Sequence, residues 1–283
     1  MNENRAVIVG AGPAGLTCAT YLARAGWQVD VYSGESTSLS CLAEAPLVMN
    51  YPGFPDGIDG LSLLELFTEQ ARKSGAVIHP ESIVSIDTSS RTVTDDAGAV
   101  AGYDKVVVAS GVKPRRFSCD GIERIPVHTC AICDGGMYGR DDAVVVIGGG
   151  DTAVNSALYL SGIVGKVLVV VRKSYFRATN RKAVYELAGR KNVTILHNRS
   201  IVAVSDDGRD VPKTHGVRRL KLDDGSEIEA CAIFSCIGFD VNDIPVIGDG
   251  KVWSCGDCVE THRQIAVAVG SGAKTALDII GGR

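Results

Sequence analysis

The sequence predicts an α/β protein containing two Rossmann-like dinucleotide-binding units. Two observations carry this. A strand, glycine turn, helix and second strand open the chain, and the same succession returns 138 residues later. The 283 residues are enough for two domains of ordinary size.

The first unit starts with Ala6-Val7-Ile8-Val9, a short apolar run of the buried-strand type. It leads into Gly10-Ala11-Gly12-Pro13-Ala14-Gly15. A helix follows, with apolar residues at Leu16, Ala19, Leu22 and Ala23. Pro13 suits its first position, where no amide hydrogen bond is lost. Gly26 suits its end. Val29-Asp30-Val31-Tyr32 supplies the second strand. In such a unit Gly10 permits the tight turn, Gly12 lets a pyrophosphate approach the backbone, and Gly15 lets helix and strand pack closely. The helix N-terminus offers free N–H groups and a positive dipole end to that pyrophosphate.

The second unit repeats this. Val144-Val145-Val146-Ile147 is the strand, and Gly148-Gly149-Gly150-Asp151-Thr152-Ala153 the turn, with Ala153 in the third small position. The helix runs through Val154, Ala157, Leu158 and Leu160, and residues 167–171 form the next strand.

The residues after each second strand discriminate the ligands. A carboxylate there receives ribose hydroxyls, and cations receive a 2′-phosphate. Arg172, Lys173 and Arg177 follow the later strand with no acid among them, which favours NADPH. Ser33 and Glu35 follow the earlier one, and Glu35 suits the ribose of an adenosine. A nucleotide that stays bound there is read as FAD. Near the C-terminus, Gly256-Asp257 forms a small-residue turn whose acid can accept a ribityl hydroxyl. Arg263, Gln264 and Ile265 then enter a helix whose N-terminus can face the flavin.

Composition narrows the remaining classes. Hydrophobic residues make up 45% and charged residues 22%, the balance of a soluble globular chain. A net charge of −4 without long basic runs argues against a nucleic-acid surface. No apolar run reaches the roughly 18 residues that span a bilayer, and the polar start lacks a signal-peptide layout. A cytoplasmic location is expected. Nine cysteines in such a chain argue against a structural disulfide framework.

Two close cysteine pairs stand out, Cys130/Cys133 and Cys255/Cys258. A shared zinc site is disfavoured, because 122 positions separate Cys133 from Cys255, against about 15–20 in compact zinc ribbons. No metal is expected. In Thr129-Cys130-Ala131-Ile132-Cys133-Asp134-Gly135 the two-residue spacer brings the sulfurs within disulfide reach if a helix starts there. A helix start also favours thiolate. Asp134 is a candidate proton donor and acceptor beside them.

With these stretches in their order, the chain resembles the low-molecular-weight thioredoxin reductases over nearly its whole length. Asn50-Tyr51-Pro52-Gly53 and Ala109-Ser110-Gly111 add to the match, and the dithiol lies 15 residues before the second glycine turn. The resemblance implies two three-layer (ββα) Rossmann-like domains, one inserted in the other. Residues 1–116 and 238–283 would bind FAD, with Asn50, Ala109 and Gly111 among the contacts. Residues 117–237 would bind NADPH and carry the dithiol, with Ile237 and Gly238 at the return crossing and among the NADPH contacts. It also implies a homodimer passing electrons from NADPH through FAD and Cys130/Cys133 to thioredoxin or a thioredoxin-like partner. Cys130 would attack that partner, Cys133 would meet the flavin, and the inserted domain would rotate between two poses. The chain departs from the family where Ser36-Thr37-Ser38-Leu39-Ser40-Cys41-Leu42 replaces a Gly-Gly-Gln stretch, and where Gly136 and Met137 replace two aromatic residues. Alternatives therefore stay open. One is a reductase or oxidase of a small-molecule disulfide or dithiol, or one fed by another donor such as reduced ferredoxin. Another is a non-catalytic FAD redox sensor.

Overall fold

The computed structural model describes residues 4–34, 40–43, 45, 47–205 and 216–282. The chain divides into two compact units. Unit 1 comprises Met1–Lys113 and Val241–Arg283, and unit 2 comprises Pro114–Asp240.

Unit 1 opens with β1 (Arg5–Val9), α1 (Pro13–Arg24), β2 (Gln28–Tyr32), α2 (Gly60–Lys73) and β3 (Val77–His79). The three strands pair in parallel. An antiparallel meander of β4 (Ile83–Asp87), β5 (Thr92–Asp95) and β6 (Val100–Gly102) follows, and β7 (Lys105–Val108) returns parallel to β1. β8 (Val112–Pro114) leads out of the unit.

Unit 2 repeats the plan. Its sheet is built from β9 (Val127–His128), β10 (Ala143–Ile147), β11 (Lys166–Val171), β12 (Val193–His197) and a later strand. The helices α3 (Ala131–Asp134), α4 (Asp151–Ser161) and α5 (Arg181–Ala188) lie between these in sequence. The meander is β13 (Ile201–Ser205), β14 (Arg218–Leu222) and β15 (Glu227–Ala230). The later strand, β16 (Ala232–Ser235), enters between β10 and β9, giving the order β12-β11-β10-β16-β9. All four pairings in this sheet are parallel. β17 (Phe239–Val241) then leads back to unit 1. There β18 (Val246–Ile247) joins the meander beside β4 and β19 (Trp253–Ser254) joins the main sheet beside β7. Helix α6 (Ile265–Ile280) follows.

Each unit has three layers because its parallel strands are covered on both faces. Side chains alternate across a strand. On β1, Ala6 and Ile8 pack with Leu16 and Leu22 of α1 and Leu63 of α2, while Val7 and Val9 pack with Ile83, Ile86 and Val93 of the meander. On β10, Val144 and Val146 pack with Val154 and Leu160 of α4, and Val145 and Ile147 with Val204 and Leu220 of the second meander. Burial on both sides explains why these strands read as unbroken apolar runs. The predicted strands and glycine turns form where expected, each strand starting one residue earlier than the apolar run.

Helices α1 and α6 meet at one intimate point. A Cβ on Gly272 would collide with the carbonyl of Ala14. Neither partner is a flexible side chain, so one helix must shift to admit it. Overpacking of this kind costs about 1–3 kcal/mol. We expect Gly272→Ala to lower the Tm, measured by thermal denaturation, by several degrees. An unchanged Tm would show that α6 moves freely.

Candidate active site

The C-terminal ends of the unit 1 strands open on a cavity of about 520 Å³, a size typical of small-molecule sites. Of the residues singled out in sequence, Gly10, Gly12, Pro13, Ala14, Ser33, Ala109, Gly111, Asp257, Arg263, Gln264 and Ile265 line it. The glycines divide the work. Gly10 has φ +112° and lies against the Ala109 carbonyl, and a Cβ on Gly15 would strike the Gly10 carbonyl. Gly12 has nothing within 4 Å of its missing Cβ, so space is left for a ligand against the backbone. Neither α1 nor α6 has a side-chain N-cap. Both N-termini border the cavity, where their free amides attract anionic or polar groups.

Asn50 does not line the cavity but is exposed and tied to it through Gln264, its Nδ2 donating to Gln264 Oε1 at 3.0 Å. Gly256 has φ +79°, and its amide donates to Ser271 Oγ at 3.1 Å; Ser271 in turn donates to Glu260 at 2.9 Å. This network holds the turn that carries Asp257. Asp257 Oδ1 is buried and accepts no hydrogen bond from the described residues. Burial raises its carboxyl above the ordinary value, Arg263 works the other way, and Glu260 adds to the rise. Glu35 lies outside the described residues.

The cavity also holds Ser40, Cys41 and Leu42, from the loop that departs from the family's Gly-Gly-Gln stretch, and residues that sequence reasoning missed: Ala45, Ser82, Val112, Asn242 and Ala268. Asn242 is knitted to the 109–111 turn. Its Nδ2 donates to Ser110 O at 2.9 Å, Ser110 Oγ donates to Asn242 O at 2.7 Å, and Asn242 N donates to Gly111 O at 3.1 Å. Cys41 Sγ donates to Val112 O at 3.7 Å.

In unit 2 the second turn has the same construction. Gly148 has φ +144°, and a Cβ there would meet the Cys236 carbonyl; Gly150 faces open space. Ala153 is fully buried. Thr152 is exposed on the first turn of α4. The Asp151 carboxylate accepts Thr179 N at 2.8 Å, Thr179 Oγ1 at 2.9 Å and Asn180 N at 3.0 Å. Burial opposes its charge, but the Asn180 and Thr179 donors outweigh it and hold the carboxyl below its ordinary value. The loop after β11 is thus tied to the turn, and Arg177 N donates to Gly149 O at 2.6 Å. Arg172, Lys173 and Arg177 are exposed and have no carboxylate partner among the described residues. Past β16, Gly238 has φ +111° and accepts Arg115 N at 2.9 Å, and Ile237 packs on the meander core.

Cys130 and Cys133 form a disulfide. Cys130 is the N-cap of α3, where its Sγ accepts Cys133 N at 3.1 Å and its carbonyl accepts Asp134 N at 3.2 Å. Cys130 is buried and Cys133 exposed. Asp134 Oδ2 lies 2.9 Å from His128 Nδ1, and His128 Nε2 lies 2.7 Å from the Tyr138 hydroxyl. Sequence reasoning missed His128 and Tyr138. The signal was a histidine two positions before the dithiol. Met137 stands exposed beside them. Cys255 and Cys258 are free thiols.

Comparison with known proteins agrees with this geometry. The family model described as pyridine nucleotide-disulphide oxidoreductase matches residues 4–272. A thioredoxin reductase of Streptomyces clavuligerus is 33% identical over 298 residues, covering 96% of this chain and 91% of the relative. One from Streptomyces coelicolor is 33% identical over 301 residues, with the same coverage. The crystal structure of T. acidophilum thioredoxin reductase superposes with a TM-score of 0.82 at 27% identity, covering 99% of each chain.

Asp257 gives a pH-dependent expectation. Its raised carboxyl means that the folded chain holds the proton more tightly than the unfolded chain. Its charge therefore costs stability at neutral pH, and the cost disappears as pH falls through its raised titration range toward the ordinary value of 3.8. We expect Asp257→Asn to raise the Tm of ligand-free protein at pH 7 by on the order of 2 °C, allowing for solvent screening. The gain should shrink in melts repeated at pH 5.5 and pH 4. A lower Tm at pH 7 would show that the carboxylate has a stabilising partner.

Proposed function

The chain belongs to the pyridine nucleotide-disulphide oxidoreductase family and, within it, to the low-molecular-weight thioredoxin reductases, and we propose that its electron acceptor is the disulfide of thioredoxin or a thioredoxin-like protein. It is a flavin-dependent disulfide reductase whose cofactors are FAD and NADPH. The observation that carries the proposal is the Cys130–Cys133 disulfide at the start of α3, in the unit that holds the second glycine turn.

The residues present fit both cofactors. In unit 1 the space beside Gly12 and the orphaned Asp257 Oδ1 are what a pyrophosphate and a sugar hydroxyl require. We assign FAD there, with the first turn of α1 on the pyrophosphate, Asp257 accepting from the ribityl chain, and the α6 N-terminus at the flavin ring. In unit 2 we assign NADPH to the turn at Gly148 and Gly150, with the 2′-phosphate on Arg172, Lys173 and Arg177. Three cations without a carboxylate partner among the described residues suit a doubly charged group. Asp151 serves this site by fixing the loop that carries Arg177. When bound, the two cofactors supply a hydride equivalent to the disulfide.

The chain's own chemistry is thiol exchange. A thiolate of the reduced pair attacks the partner disulfide and forms a mixed disulfide. The second cysteine then displaces the partner and closes Cys130–Cys133 again. Asp134 moves the proton at these sulfurs. Family resemblance assigns the attack to Cys130. The exposure of Cys133 beside a buried Cys130 favours the reverse order. Trapping separates the two, because only the variant that keeps the attacking cysteine accumulates a mixed disulfide with a single-cysteine thioredoxin activated as its thionitrobenzoate disulfide, the thionitrobenzoate thiolate being the leaving group.

No helix among the described residues is long and apolar enough to cross a membrane. We read the protein as a cytoplasmic homodimer on resemblance, and size-exclusion chromatography with light scattering tests the dimer.

Two outcomes test the assignment. Cys133→Ser should leave anaerobic bleaching of the flavin by NADPH intact but abolish thioredoxin turnover; retained turnover would sink it. Arg172→Ala with Arg177→Ala should raise KM for NADPH at least tenfold, with little change for NADH. Equal increases would show that these cations do not read the 2′-phosphate.

A further inference from the structure

We propose that His128 is a positioning residue for disulfide reduction: it holds Asp134 and shares one exchangeable proton with it, with the Tyr138 hydroxyl engaging its other ring nitrogen. This rests on the assignment of Asp134 and the Cys130/Cys133 pair made above.

The geometry leaves the imidazole little freedom. His128 sits on β9 in register with Phe234 of β16. Its ring stacks on the Phe234 ring with centroids 4.9 Å apart, and Tyr138 packs edge-on at 5.7 Å. Both ring nitrogens are engaged, Nδ1 with Asp134 at 2.9 Å and Nε2 with Tyr138 at 2.7 Å. The His128 side chain is 13% exposed against 35% for Asp134. Water therefore reaches the carboxylate more readily than the ring behind it.

The tautomer follows from Asp134. An ionised carboxylate only accepts, so the ring's proton sits on Nδ1 and points at it. Nε2 of the neutral ring is then the acceptor and the Tyr138 hydroxyl its donor, and burial, followed by Cys231, Asp134 and Asp142, pushes that hydroxyl up to about 12. When the pair gains a proton, imidazolium–carboxylate and imidazole–carboxyl differ only in where one proton lies along the 2.9 Å bond. The hydroxyl can turn to accept from Nε2 in the charged form.

The other titratable groups around the pair are few. Cys231, next to β16, is held as a thiol by burial and by Asp142, at about 12. Asp142 accepts Gly139 N at 2.8 Å. From α4, Tyr159 lies against Gly135. The remaining residues of α3 and β16 carry no charge.

Stoichiometry gives the pair its task. Opening Cys130–Cys133 to two thiols takes two electrons and two protons. A hydride equivalent brings both electrons and one proton. As the Sγ–Sγ bond breaks, the second proton passes from the pair to the leaving sulfur, and water later restores it. His128, 2.9 Å from Asp134 Oδ2, is the group from which that proton is replaced.

The test uses FAD-loaded enzyme with NADPH and thioredoxin, from pH 5 to pH 9. His128→Asn should lower disulfide turnover at least tenfold at pH 7.5, and the deficit should shrink toward pH 5 as more abundant solvent protons bypass the ring. Flavin bleaching by NADPH without an acceptor should not change. Tyr138→Phe should cost about two- to threefold, with the same pH trend. A second readout needs no turnover: long-range 1H–15N spectra should place the proton of neutral His128 on Nδ1. A His128→Asn profile parallel to that of the parent would overturn the proposal, and so would an Nε2–H tautomer. The tautomer decides the matter even if His128→Asn fails to fold. If Asp134→Asn alone is impaired, only the role of His128 falls. If Asp134→Asn matches the parent at every pH, the underlying assignment of Asp134 falls as well.

Discussion

The close approach of a backbone turn to a neighbouring strand end governs both halves of this molecule. At Gly10 a side chain would meet the Ala109 carbonyl, and at Gly148 it would meet the Cys236 carbonyl. Both glycines have positive φ, a conformation that other residues rarely adopt. The turn is forced to be tight, so the following helix starts directly over the strand's C-terminal end. Because the sheets around these turns are parallel, neighbouring strand ends converge on the same edge as the helix N-terminus. Amides, dipole end and open space beside Gly12 and Gly150 then gather without any dedicated side chain. The two turns differ mainly in what the surrounding loops bring to them.

Two aspartates show that difference. Asp151 receives three donors from Thr179 and Asn180 and stays readily ionised. Its lone pairs are occupied by the chain itself, so its charge works as an anchor. Asp257 is held in place through the Gly256–Ser271–Glu260 network, yet its Oδ1 has no donor among the described residues. A buried acceptor without a partner is costly. A fold that keeps one in a cavity wall has left a place for an outside donor.

The legible parts of this structure were those whose signal is local. Strands buried on both faces write continuous apolar runs, and the two glycine turns fall at fixed offsets from them. The cavity residues at 10–14, 109–111 and 263–265 were therefore visible in the chain. Asn242 was not, because its partners Ser110 and Gly111 lie about 130 positions away and nothing in its own neighbourhood marks it. Ser82 likewise reaches the cavity from the start of the meander. His128 and Tyr138 flank the dithiol in sequence, but a histidine on a short strand and a tyrosine after a turn read as ordinary core. Only the fold shows that one ring lies between Tyr138 and Asp134.

Nine cysteines in one redox protein pose a problem of selectivity. The thiolate is the reactive form, so a thiol held well above its ordinary value is inert at neutral pH. Burial raises Cys236 to about 11 and, with Asp142 beside it, Cys231 to about 12. Burial likewise raises Cys119 and Cys258. Hydrogen bonding to Cys18, together with burial, raises Cys255. Cys258 adds hydrogen bonds to the carbonyls of Cys255 and Val108, which a thiolate could not donate. This matters most for the Cys255/Cys258 pair, which has the same spacing as the working dithiol and brackets the Asp257 turn. Its sulfurs are kept as thiols by the surroundings that hold the turn in place. At Cys130 the sulfur instead accepts the Cys133 amide, an interaction that strengthens when the sulfur carries charge. Identical spacing thus leads to opposite chemistry, because Cys258 donates to carbonyls beside a buried Cys255, whereas Cys130 receives an amide beside a histidine–carboxylate couple.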